Sequence, residues 1–163
     1  MSSVALSNSK LPWLISCMSF LGITIVTNQT GVFAVFGILP PGSKSSGFFT
    51  LIGYSGGGAI ASLTATQRED INTLVTVAGN LDILKWTTIH NISRLDESLN
   101  PADYTKKLEN IKQYHLIGKE DEVIPKEVFL SYLSKFQNKD NITYKYYDAS
   151  HNCCWKEQYK KFL

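Results

Sequence analysis

The five residues Gly53-Tyr54-Ser55-Gly56-Gly57 constrain this chain more than any other segment. An apolar run, Phe48–Ile52, leads into them, and Gly58–Gln67, first small and apolar and then polar, leads out. The run reads as a strand, and the segment after it as a helix packed closely on a neighbour. A serine between the two must sit on a tight strand-to-helix turn, with an unfavourable backbone conformation and an exposed hydroxyl. Small neighbours at Gly53 and Gly57 relieve the crowding there, and Gly58, Ala59 and Ala61 let the helix approach the sheet. The helix N-terminus adds positive dipole character, and the Gly56 N–H is a candidate donor to a developing oxyanion. No Lys-[Ser/Thr] follows the glycines, so the turn is not a Walker loop. A phosphate-binding glycine turn is kept only as a minor third reading.

The rest of the chain alternates strand-like and helix-like patterns. Ile71–Ala78, Lys112–Ile117 and Ile142–Tyr147 read as strands, and Lys126–Phe136 as a helix with Val128, Phe129, Leu133 and Phe136 on one side. Trp155–Leu163 reads as the first turns of a last helix. Such alternation predicts an α/β fold, a mostly parallel sheet with helices on both faces. Residues 80–110 break the rhythm and hold Trp86, His90, Pro101 and Tyr104. They are expected to form an excursion above the sheet, where pockets are commonly built.

Two further residues complete a chemistry with Ser55. Asp121 lies in the loop after the Gln113–Ile117 strand, at the edge where Ser55 would stand in a parallel sheet. Asp82, just after the strand ending at Ala78, is a rival acid, and Asp121 is preferred on topology. His151 follows the last strand in a polar loop. Of the other two histidines, His115 falls inside a strand pattern, as a core residue would, and His90 lies in the excursion with nothing in the sequence to fix it. The chain order Ser, Asp, His is that of the α/β-hydrolases. In that chemistry His151 takes the Ser55 proton, Asp121 holds the imidazole tautomer, and an acyl-enzyme forms and is hydrolysed. No cofactor or metal is called for.

Composition excludes some alternatives. The 163 residues suffice for one domain, and a formal net charge of +2 with no dense basic run argues against nucleic-acid binding. Lys156, Lys160 and Lys161 read as a solvated helix face. Three cysteines, Cys17, Cys153 and Cys154, have no metal-ligand spacing, and their disulfide state is open. Leu11 to Ser43 carries no charge. Its apolar part is short for a membrane span and contains Pro12. Residues 11–39 are therefore open to a signal or membrane-anchor reading and to a reading as two buried strands, Ile23–Thr27 and Val32–Leu39. Residues 40–47 are a loop by composition.

Together, Leu51–Ala59, Val75–Asp82, Leu99–Asp103 and the run His151-Asn152-Cys153-Cys154-Trp155 resemble a bacterial α/β-hydrolase family, many of whose members look exported or lipid-anchored. The resemblance covers about two-thirds of the chain, from Phe48 onward. It implies Ser55, Asp121 and His151 as the triad of a serine hydrolase acting on a small ester or related acyl substrate, and implies nothing about which one. The sequence departs from the family in one respect. Only 54 residues precede Ser55, and no His-Gly or Gly-Gly segment lies upstream to supply a second oxyanion donor. The expectation is a catalytic core over 48–163 behind an atypical segment, 1–47, in which the usual N-terminal part is truncated or replaced. The alternative to an active esterase is thus a catalytically impaired hydrolase fragment.

Overall fold

The computed structural model describes residues 49–155 and 158 in full, together with the backbone of three strands nearer the N-terminus. Those three are β1 (Ser16–Phe20), β2 (Ile23–Thr27) and β3 (Val35–Ile38). Then follow β4 (Phe49–Tyr54), α1 (Gly56–Ala65), β5 (Ile71–Val77), α2 (Ile83–Ile89), a 3-10 turn at Pro101–Asp103, α3 (Thr105–Leu108), β6 (Lys112–Gly118), α4 (Lys126–Ser134) and β7 (Ile142–Tyr147). The main sheet has the order β3-β4-β5-β6-β7, while β1 and β2 form a separate antiparallel pair. The strands β4 to β7 run parallel, each joined to the next by a crossover that carries helix. This is the expected α/β architecture.

Alternation along each strand sorts the core into two layers. Leu51, Leu74 and Ile117 face one side, where Ala61 and Ala65 of α1 and Phe129 and Tyr132 of α4 cover them. Ile52, Val75, Val77 and Leu116 face the other, with Ala149 and Trp155. The expected last helix begins at Trp155, and from residue 156 onward it and its lysines lie outside the described residues, apart from Gln158.

Element limits differ from expectation in instructive ways. Strand β4 runs through Gly53 to Tyr54, because parallel pairing with Thr76 and Val77 of β5 carries it up to the serine. Helix α1 accordingly starts two residues early, at Gly56. The expected strand Val32–Leu39 is found as β3, antiparallel to β4. An uncharged run does not reveal strand direction, but the ten residues between β3 and β4 are too few for the crossover that a parallel neighbour needs. The signal or anchor reading of 11–39 concerns side chains outside the described residues. Among the described residues no helix is long and apolar enough to cross a membrane.

Candidate active site

Three loops meet at the C-terminal edge of the parallel strands. The first is the turn between β4 and α1. Ser55 has φ 53° and ψ −124°, a conformation that a residue with a Cβ adopts only under constraint. The constraint is visible. Its N–H donates to the Val77 carbonyl over 3.0 Å, and its own carbonyl accepts from the N–H groups of Gly58 (2.9 Å) and Asn80 (3.0 Å). The turn is also too tight for side chains on either flank. A Cβ on Gly53 would overlap the Gly57 carbonyl, and one on Gly58 would lie 2.8 Å from the Gly79 Cα.

The second loop follows β6 and carries Asp121, whose side chain is fully buried. The third follows β7 and carries His151, with 12% of its side chain exposed. His151 Nδ1 lies 2.9 Å from Asp121 Oδ2 and 3.1 Å from Oδ1, and Nε2 lies 3.0 Å from Ser55 Oγ. A buried carboxylate flanked by donors only accepts, so Nδ1 carries the hydrogen and Nε2 is left to accept from the serine hydroxyl. Asp121 Oδ1 accepts in addition from the N–H groups of Val123 (3.0 Å) and Ile124 (2.8 Å). The residues expected to work together from the sequence thus form one hydrogen-bonded chain. Gly56 opens α1, so its N–H has no partner four residues back within that helix.

The acid and histidine loops are fastened to each other. Lys119 N–H donates to Tyr147 O (2.9 Å) and Glu120 N–H to Ala149 O (3.2 Å). Gly118 permits this approach, since a Cβ there would come within 2.5 Å of the Ala149 carbonyl oxygen. The His151 carbonyl accepts from Tyr54 Oη (2.6 Å) and from Trp155 Nε1 (2.8 Å). Burial, and then the charge of Asp121, push the Tyr54 hydroxyl above its usual pKa, so it stays a donor. Between His151 and Trp155, Cys153 and Cys154 are disulfide-bonded to each other. The side chain of Cys17 lies outside the described residues.

The rival acid has a different task. Asp82 caps α2 by accepting from Lys85 N–H, and it also accepts from Asn100 and Ser131. Burial opposes its ionisation, yet the bonds from Ser131, Lys85 and Asn100 and the charge of Lys135 outweigh it, and its pKa lies below the ordinary value. His115 is a core residue, bonded to Thr76 Oγ1 (2.7 Å) and Gln113 Oε1 (3.2 Å). Gln113 gives its own N–H to Leu108 O, so its Oε1 faces the imidazole and His115 Nε2 carries the hydrogen. His90, for which the sequence offered no partner, lies 2.9 Å from the Val123 carbonyl through Nε2, beside Trp86 Nε1 at 2.8 Å. Tyr54, Trp155, Trp86 and His90 were not foreseen because each binds a backbone carbonyl, and for all but Trp155 that carbonyl lies more than thirty residues away in the chain. The four-residue spacing of Trp86 and His90 becomes a signal only once Ile83–Ile89 is known to be helical, as it puts the two rings on one face. No group of His, Cys, Asp and Glu among the described residues could hold a metal ion.

Solved structures share this fold. The Pyrococcus furiosus esterase Pf2001 is 17% identical, with a TM-score of 0.53 over 69% of this chain and 49% of that one. Acetyl xylan esterase 1 from Thermoanaerobacterium sp. is 14% identical, with a TM-score of 0.52 over 69% and 44%. The esterase domain of a Rhodothermus marinus protein is 14% identical, with a TM-score of 0.51 over 63% and 50%. The chain spans half or less of the length of each of these structures. No curated protein matches it in sequence. Residues 40–160, most of the chain, match the family described as serine hydrolase (FSH1), and the chain belongs to that family, as an α/β-hydrolase.

Proposed function

We propose that this chain is an esterase-type serine hydrolase in which Ser55 is the nucleophile, His151 the general base and Asp121 the acid that orients it. The observation that carries the reading is the unbroken chain from Ser55 Oγ through His151 to Asp121, with contacts of 3.0 and 2.9 Å, assembled from three loops on one sheet edge. His151 Nε2 takes the hydroxyl proton as Oγ attacks an acyl carbon. The oxyanion so formed accepts from the Gly56 N–H. Collapse of the adduct expels the alcohol, which leaves with the proton held on Nε2, and Ser55 remains acylated. Water then attacks the acyl group, with His151 again taking and returning a proton. The substrate class is a small carboxylic ester or related acyl compound. The esterases among the fold neighbours support this choice.

A fluorophosphonate probe tests the reading. It is expected to label Ser55 in the wild-type chain and not in Ser55→Ala, and p-nitrophenyl acetate turnover is expected to fall by at least about 10⁴-fold in that variant. A folded wild-type sample that neither labels nor turns over would favour the impaired hydrolase instead.

A further inference from the structure

We propose that Trp86 and His90 are positioning residues for Asp121, acting through the single peptide group that joins Val123 to Ile124. The inference rests on the triad reading above. The carbonyl of that peptide is the one on which Trp86 Nε1 and His90 Nε2 converge, at 2.8 and 2.9 Å. The N–H of the same peptide, on Ile124, donates to Asp121 Oδ1 over 2.8 Å. A carbonyl oxygen has two lone pairs and only accepts, so both rings must present N–H groups, and His90 carries its hydrogen on Nε2. Because the peptide unit is planar, fixing the direction of its C=O fixes the direction of its N–H. Two donors on the oxygen also polarise the group and strengthen the bond that its N–H makes with the carboxylate.

The clamp is anchored at its far end. Trp86 lies in α2 and His90 caps it, with their ring centroids 5.2 Å apart. The other end of α2 is held by Asp82, buried and bonded to Ser131 of α4 and to Asn100. The helix therefore stands between a fixed buried acid and the peptide that orients Asp121. This gives the 80–110 excursion a role in the chemistry without requiring that it touch substrate.

The test uses the full chain and the proton NMR signal of the His151 Nδ1–H, whose downfield position reports its bond to Asp121. The double variant Trp86→Phe/His90→Ala removes both N–H donors on the Val123 carbonyl. Asp121→Asn identifies the signal and sets the scale, since it removes the charged acceptor of that bond. The double variant is expected to move the signal upfield, part of the way toward its Asp121→Asn position. For p-nitrophenyl acetate, kcat is expected to fall roughly 3- to 30-fold with KM within about twofold, well short of the ~10⁴ for loss of the acid. Trp86→Phe/His90→Gln, which regains an N–H, should recover most of the loss. An unchanged His151 Nδ1–H signal in a folded double variant overturns the proposal. If the double variant does not fold, the same measurement on Trp86→Phe and on His90→Ala decides it. Failure of the serine hydrolase reading would show separately, as absence of wild-type labelling at Ser55.

Discussion

At the scale of single residues, the backbone of Ser55 is where structure is held against local preference. A φ of 53° with a ψ of −124° suits glycine and not serine. Strain of this kind costs of order 1–3 kcal/mol, partly offset in a glycine variant by the greater freedom of its unfolded chain. Ser55→Gly is therefore expected to be more stable than wild type by about 1 kcal/mol in urea unfolding. Ser55→Ala, which keeps the Cβ, should gain little. Equal stabilities for the two variants would show that the turn is not strained. The three residues of the chain were legible because each follows a strand whose apolar pattern is plain, and parallel strands bring such loops to one edge. The residues that hold those loops were not legible. Tyr54, Trp155, Trp86 and His90 all donate to carbonyls, and a carbonyl leaves no trace in the identity of its residue.

At the scale of elements, α2 depends on its first residues. Asp82 accepts from the backbone of Lys85 and from Asn100 and Ser131, so three donors lose their partner together in Asp82→Ala. Loss of the cap and of buried bonds to a charged acceptor should cost roughly 2–4 kcal/mol, read as a lower urea midpoint. A loss below about 0.5 kcal/mol would mean that these bonds form equally well with water. The strands β5 and β7 were legible from their β-prone, largely apolar sequences, and β7 matches its expected limits, Ile142–Tyr147. The pairing of β3 was not legible. Direction is decided by connection length and by neighbours, and neither is written in an uncharged run. The excursion hid its helices for a related reason. Leu84, Ile89, Ile92 and Leu95 are exposed, so its apolar residues do not mark one buried stripe.

For the molecule as a whole, one buried imidazole links stability to pH. In the unfolded chain His115 takes up a proton near pH 6.5, whereas burial in the fold keeps it neutral until about 3. Between those values the unfolded state binds one more proton, so stability falls as pH falls, by about 1.4 kcal/mol per pH unit. Acidifying from pH 6.5, where the unfolded imidazole is already half protonated, to pH 5 should thus cost about 1.7 kcal/mol from this group alone. Urea unfolding at both pH values measures it, and His115→Asn should flatten the slope whatever its effect at neutral pH. An identical slope in the variant would assign the dependence to other groups.

The main sheet lists its strands in the order in which the chain presents them, β3 to β7. During synthesis each new strand can therefore be laid on the outer edge of those already made, with no gap left to be filled later. Of the three groups, the hydroxyl of Ser55 leaves the ribosome first and the carboxylate of Asp121 next, while the imidazole of His151 comes only after β7. The hydroxyl and the imidazole, 96 positions apart in the chain, can meet only once β7 has been added to the sheet, so the triad proposed above would be completed by its last member rather than its first.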